Sequence, residues 1–378
     1  MSPTRVRPRP RARVAVAALA LGGLLVVAGP ASVAVADTPT VVDSYTSGSF
    51  PFAVAVSPDG GTLYVANAGD DEVTAVDAAT GATLWTVGVG MFPASLAVSP
   101  DGALVYSADM WDDQISVIDT STQSVTATIA IPSALLFTFP YWVGVAPDGS
   151  LLYVASYEDS SVTVIDAATH MILATIPVGD IPISGALSSN GARLYVANSA
   201  DDTVSVIDTS TRIVLATIGV GGQPSALAVS PDGSTVYVAN SDSDDVTVID
   251  AATHTVTATT PVGPGALGVA VTPDGALLYV VTVDDDSVVV LDTATMGVVG
   301  TAAVGSGPIA IALSPDGATA YVANSGDDTV SVIRMVAPAP QPALAETGAE
   351  PSAALAAALA LLLGGVALLA RRRARARG

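Results

Sequence analysis

The chain of 378 residues has no cysteine, no lysine and only two histidines, and just 5% of it is aromatic. The missing cysteine excludes a disulfide scaffold, a thiol nucleophile and any cysteine-built metal centre. Bases are scarce as well: 13 arginines face 35 acids, for a formal charge of −22. Such a surface repels phosphates, so nucleic acid is not an expected partner. Apolar residues, by contrast, make up 50% of the chain, enough for a large core and too many for disorder.

Ten of the arginines sit at the two ends. Arg5, Arg7, Arg9, Arg11 and Arg13 precede an apolar run from Val14 to Ala28, and Ala34-Val35-Ala36 comes just before Asp37. A basic segment, an apolar segment and a small-x-small site describe a secretory signal peptide over residues 1–36. At the other end Ala353 to Ala370 is uncharged, and Arg371, Arg372, Arg373, Arg375 and Arg377 follow. At about 1.5 Å per residue, a helix of that length nearly spans a hydrocarbon core of about 30 Å. The arginines would hold its end on the cytoplasmic side.

Leu344, Ala345, Glu346, Thr347 and Gly348 stand just upstream of this span. The order of pentapeptide, apolar span and basic tail over 344–378 resembles the sortase cell-wall sorting signal of Gram-positive bacteria. Ala345 replaces the usual proline, as in the form used by high-GC actinobacteria. The resemblance implies cleavage between Thr347 and Gly348 and transfer of Thr347 to peptidoglycan. Sortase and peptidoglycan are then the implied partners, the cell wall is the implied location, and the membrane is met only through the helix before sorting. The same resemblance excludes a pilus-shaft role, which needs a lysine amine. Once both ends are removed, Arg193, Arg212 and Arg334 are the only arginines left against every acid but Glu350.

Between the ends the sequence repeats. Ser57-Pro58-Asp59-Gly60 recurs at 99, 146, 188, 230, 272 and 314, at intervals of 42, 47, 42, 42, 42 and 42, with small changes at 146, 188 and 272. The Tyr-Val-Ala-Asn motif at Tyr64 returns at Tyr106, Tyr153, Tyr195, Tyr237, Tyr279 and Tyr321 in the same register. Each copy reads as four short strands, a to d. In the fourth they are Ile183–Leu187, Arg193–Asn198, Val204–Ile207 and Ile213–Ile218, separated by Gly, Asn and Asp turns. Four strands in about 40–45 residues describe a propeller blade. The motifs resemble the YVTN β-propeller repeat family of bacterial and archaeal surface proteins over residues 41–336. The expected fold is therefore an all-β, seven-bladed propeller over 37–336, with a proline-rich linker at 337–343. The last copy lacks a strand d, while Val41–Thr46 precedes the first copy where one belongs. These two segments are expected to pair and close the ring, which removes an aggregation-prone edge.

Propeller topology puts the b–c hairpins and d–a loops on one face, and eighteen of the 35 acids fall in those hairpins. They serve as turn formers bonded to their own backbone, or they bind a divalent cation such as Ca²⁺, with Asp244, Asp245, Asp284, Asp285 and Asp286 as candidates. No hairpin carries the full spaced ligand set of a calcium loop.

One sector of the same face breaks the repeat. The loop leading into blade 3 carries the five extra residues of the 47 interval and holds Phe137, Phe139, Tyr141 and Trp142. Met91 and Phe92 lie in the preceding loop, Met110 and Trp111 in the blade 2 hairpin, and Tyr157 in the blade 3 hairpin. These aromatics either plug the channel or form a groove for an extracellular glycan, peptide or protein.

Strand a, which lines a propeller channel, carries no acid, histidine, arginine or lysine in any copy. The wall thus lacks a general acid or base. His170 and His254 occupy equivalent turns 84 residues apart, too few and too distant for a zinc site. Asp77-Ala-Ala-Thr-Gly81-Ala-Thr-Leu-Trp85 resembles the tryptophan docking motif of quinoprotein dehydrogenases, but it occurs once. The expected function is a wall-anchored binding or adhesion module without catalysis. The alternative is a metal-dependent, lactonase-like hydrolase using loop carboxylates.

Overall fold

The structure, a computed structural model, describes residues 37–133 and 137–337. The expected signal peptide, the pentapeptide 344–348 and the apolar span 353–370 lie outside the described residues. Among those described, no helix is long and apolar enough to cross a membrane.

Every repeat forms one antiparallel four-stranded sheet, and seven such sheets make up the described chain. In blade 4 the strands are Pro182–Leu187, Arg193–Asn198, Thr203–Asp208 and Ile213–Gly219, within one residue of the expected limits. The middle strands are apolar almost throughout because each blade is covered on both sides: Leu194, Val196, Ile207 and Val206 are fully buried. The outer strand alternates instead, with Ile213 and Leu215 exposed. Two short 3₁₀ turns, Met110–Asp112 and Val283–Asp285, are the only helical segments among the described residues.

Strand a opens with proline in six blades (Pro51, Pro93, Pro140, Pro182, Pro224 and Pro308). Proline is tolerated there because this innermost strand has a free edge. A register shift follows at once, for example between Pro51 and Ala53. Such a bulge re-aims a side chain, and the residue after the proline lines the central channel (Phe52, Ala94, Tyr141, Ile183 among them).

Thr38–Thr46 pairs antiparallel with Thr329–Val336 and supplies the missing outer strand of the last blade. The repeat tyrosine joins neighbouring blades. The Tyr321 hydroxyl donates to the carbonyl of Ala78 in blade 1 at 3.2 Å, while its ring packs with Leu63 and Val65.

The a–b and c–d turns carry their own acids. The Asp59 carboxylate accepts from the Ser57 hydroxyl at 2.5 Å and from Gly61 N–H at 2.9 Å, and Gly60 supplies the required positive φ of 74°. Asp77 likewise accepts from the N–H and hydroxyl of Thr80, both at 2.8 Å. These bonds stabilise the charged form and hold both carboxyls below the usual range.

Candidate ligand-binding face

The b–c hairpins and d–a loops share the other face, and their acids do a different job. One hairpin residue per blade adopts a left-handed backbone: Asp71, Asp113, Ser160, Asp202, Asp244, Asp286 and Asp328. Six of the seven are aspartates, and each of those accepts from a backbone N–H in the loop leading into the next blade. Asp71 takes Phe92 N–H at 2.9 Å, Asp202 takes Gln223 at 2.8 Å, and Asp328 takes Phe50 at 2.8 Å, across the ring closure. Asp113 accepts from Thr138 N–H, the Thr138 hydroxyl and Phe139 N–H, at 2.8–2.9 Å.

The candidate calcium ligands belong partly to this set. Asp244 holds Gly265 N–H at 2.9 Å, Asp286 holds Gly307 N–H at 2.8 Å, and Asp245 accepts from the Asn240 amide at 2.7 Å. Asp284 and Asp285 lie in the 3₁₀ turn that Asp286 ends. No group of three or more His, Asp or Glu side chains is placed to hold a metal among the described residues.

The residues latched in this way are themselves left-handed. In blade order they are Phe50, Phe92, Phe139, Gln223, Gly265 and Gly307. Ile181, at the equivalent place in blade 4 with its N–H donating to the Asp180 carboxylate, shares their conformation, and φ lies between 49° and 69° across the seven. Glycine adopts this conformation freely, while a bulky residue there is strained by on the order of 1 kcal/mol or more. Blades 6 and 7 use glycine. Blades 1, 2 and 3 use phenylalanine, blade 4 isoleucine and blade 5 glutamine.

Those rings anchor an aromatic crescent. Phe92 stacks on Trp111 at 5.0 Å and 20°, and Phe137 on Phe139 at 5.4 Å and 8°. Phe52 meets Phe50 at 6.0 Å, Phe92 at 5.2 Å and Tyr141 at 5.9 Å, and Tyr141 stacks on Tyr157 at 6.1 Å. The second strand-a residue is small in blade 2 (Ala94), which leaves space for Phe52 and Tyr141 to touch. All five phenylalanines of the chain fall in this one sector. Trp111 is 54% exposed, Phe137 51% and Phe50 38%, so the crescent is an open surface. Burial and the neighbouring Tyr157 push the Tyr141 hydroxyl up to about 12, which keeps it a neutral donor.

Of the expected aromatics, Phe92, Trp111, Tyr141 and Tyr157 are linked through Phe52, Phe137 and Phe139 stack on each other, and Trp142 joins neither group. Trp142 turns into the channel wall, where its ring occupies the space beside Gly144 and Gly185. Tyr141 sits in the bulge between Pro140 and Trp142, and both it and Trp142 border the channel, but only Tyr141 meets the other rings. Sequence reasoning passed over Phe50 and Phe52. The available signal was the Phe-Pro dipeptide, present at Phe50, Phe92 and Phe139 in one repeat register. The channel itself, a cavity of about 370 Å³, is lined by uncharged residues from all seven blades.

Asp109 lies beneath the crescent. Other blades place asparagine here (Asn67, Asn198, Asn240, Asn324), but blade 2 buries a carboxylate completely. It accepts from the hydroxyls of Ser107 at 2.7 Å and Ser116 at 2.5 Å, the Gln114 amide at 3.1 Å and Gly90 N–H at 3.0 Å. Desolvation outweighs these four donors and raises its pKa. A raised folded pKa means that ionising Asp109 opposes folding at neutral pH, and the penalty fades as pH falls through that pKa. Asp109→Asn is therefore expected to raise the melting temperature at pH 7 by about 2 °C, the scale of about 1 kcal/mol in a large domain. The gain should shrink in mild acid, as thermal melts across pH would read. A lower melting temperature at pH 7 would contradict this account.

The fold and this face define a seven-bladed β-propeller. Residues 183–264 match the YNCE-like β-propeller family, and residues 69–217 match the family of outer membrane protein assembly factor BamB. Each match spans less than half of the chain. No curated protein matches the chain at a significant level. Among solved structures, Kuenenia stuttgartiensis hydrazine synthase is similar over 77% of this chain and 97% of that one, with a TM-score of 0.71 and 26% identity. The β-propeller domain of Cps50 (Swd1) from Myceliophteria thermophila is similar over 78% and 99%, with a TM-score of 0.68 and 14% identity. The last likeness is one of fold alone. Together with the seven sheets, these matches make the chain a β-propeller protein.

Proposed function

We propose that the protein is an exported, wall-anchored binding module that engages an extracellular glycan, peptide or protein through the aromatic crescent of blades 1 to 3. The observation that carries this reading is the gathering of phenylalanine at three of the seven equivalent left-handed positions, where the other blades carry isoleucine, glutamine or glycine. Left-handed backbone recurs at this loop position in all seven blades, but only in blades 1 to 3 does the residue there carry an aromatic ring, and exposed rings gathered on one face are a mark of a binding surface. The reading is non-catalytic, and the uncharged channel wall supports it. Export and anchoring rest on the signal-peptide and sorting-signal patterns of the two ends.

The test is a screen of the full chain against immobilised glycans and peptides, repeated with Trp111→Ala. Any ligand of the crescent is expected to lose at least tenfold in affinity, about 1.4 kcal/mol. The melting temperature should stay unchanged, since more than half of Trp111 faces solvent. A ligand that the variant keeps at full affinity would remove the crescent from the account.

A further inference from the structure

The charges around the crescent bear on what it binds. Arg193, Arg212 and Arg334 are the only arginines among the described residues, and all three lie on the opposite face. Arg193 pairs with Asp208 of a c–d turn at 2.7 Å, Arg212 is itself in a c–d turn and reaches the Leu173 carbonyl, and Arg334 reaches Thr319 at the start of a strand b. His170 and His254 are on that face too, in c–d turns. The crescent face therefore carries no base at all among the described residues. Carboxylates stand directly against the residues that form it. Asp328, Asp71 and Asp113 bond the backbone of Phe50, Phe92 and Phe139, and Asp112 bonds Met91 N–H at 2.9 Å.

From this we infer that the ligand of the crescent is a peptide segment rich in lysine or arginine, an inference that rests on the crescent being the binding site. Lysine and arginine combine an apolar stem with a cationic head. The stem suits the Phe92–Trp111 and Phe137–Phe139 stacks. The head suits the ring faces, with tryptophan the best of them, and the carboxylates that border them. A neutral glycan could stack on the rings but would leave the charge unused, and an acidic peptide would be repelled.

The probe is a fluorescent twelve-residue peptide of alternating lysine and serine, titrated into the full chain. Matching glutamate–serine and glycine–serine peptides and a neutral N-acetylglucosamine hexasaccharide run alongside. The lysine peptide is expected to bind at least tenfold more tightly than any of the others. Its affinity should fall at least tenfold between 50 and 500 mM NaCl, as for solvent-exposed charge pairing. It should also fall at least tenfold in Trp111→Ala and recover in part in Trp111→Phe. If a neutral probe binds through Trp111 as well as the lysine peptide does, the crescent stands and the cationic ligand is rejected. If the lysine peptide binds Trp111→Ala undiminished, the acids alone hold it, and the inference fails. If no probe's binding depends on Trp111, the inference and the binding face fall together.

Discussion

Deletion of residues 37–46 is expected to abolish the monomeric, cooperatively melting protein. Those residues form the outer strand of the last blade, in register with Thr329–Val336 from Thr38↔Val336 to Thr46↔Thr329. Without them the neighbouring strand, with Val330 and Ile333 fully buried, becomes an open apolar edge that invites pairing with other chains. Tyr45 is lost as well. Its ring packs in the cluster that joins the last blade to the first, and burial raises its hydroxyl pKa. The segment is chain-continuous with blade 1 and hydrogen-bonded to the last blade, and so ties the first blade to the last. Its loss is expected to remove most of a stability on the order of 5–15 kcal/mol. Size-exclusion chromatography with a thermal melt reads the result, namely aggregate and no sharp transition. A monomer that melts as the full chain does would refute the closure.

The second large effect is expected at Asp113. Its Oδ1 accepts three bonds from the extended loop of blade 3, and Thr138, which gives two of them, is fully buried. Asp113→Ala leaves two N–H groups and a hydroxyl without their acceptor, at about 1–3 kcal/mol for each buried group left unmatched. It also puts alanine at a left-handed φ of 53°. A combined loss of about 3 kcal/mol is expected in chemical denaturation. Asp113→Asn, which keeps an acceptor oxygen, should lose less than half of that. Equal losses in the two variants would show that charge, rather than the bonds, holds the loop.

These expectations show where the sequence was readable. The 42-residue interval, the Ser-Pro-Asp-Gly turns and the surplus strand before the first repeat place all seven blades and their closure, because each is a local pattern in strict register. The acids of the b–c hairpins are plain in the sequence, but their role is not. Whether Asp71 or Asp328 meets a cation or a backbone N–H depends on the loop of the next blade, which no local pattern describes. Asp109 is hidden for the same reason, since its burial follows from blade packing and its donors come from Ser107, Gln114, Ser116 and Gly90. The crescent was half legible. Composition marks the loop of blade 3, with Tyr141 and Trp142 adjacent at its end. Yet the bulge after each proline decides which of them joins the face, and the repeated Phe-Pro that adds Phe50 gains meaning only once its backbone is seen to be left-handed.

The claim that most needs testing is that these phenylalanines serve recognition rather than the integrity of the ring. Thermal unfolding of the triple variant Phe50→Gly, Phe92→Gly, Phe139→Gly tests it without knowledge of the ligand. Glycine relieves the left-handed strain while giving up partly exposed ring contacts, so the account predicts a melting temperature within about 4 °C of the native value. If the rings were a structural plug, their loss would cost about 3 kcal/mol each, and a fall of more than about 15 °C would contradict the account.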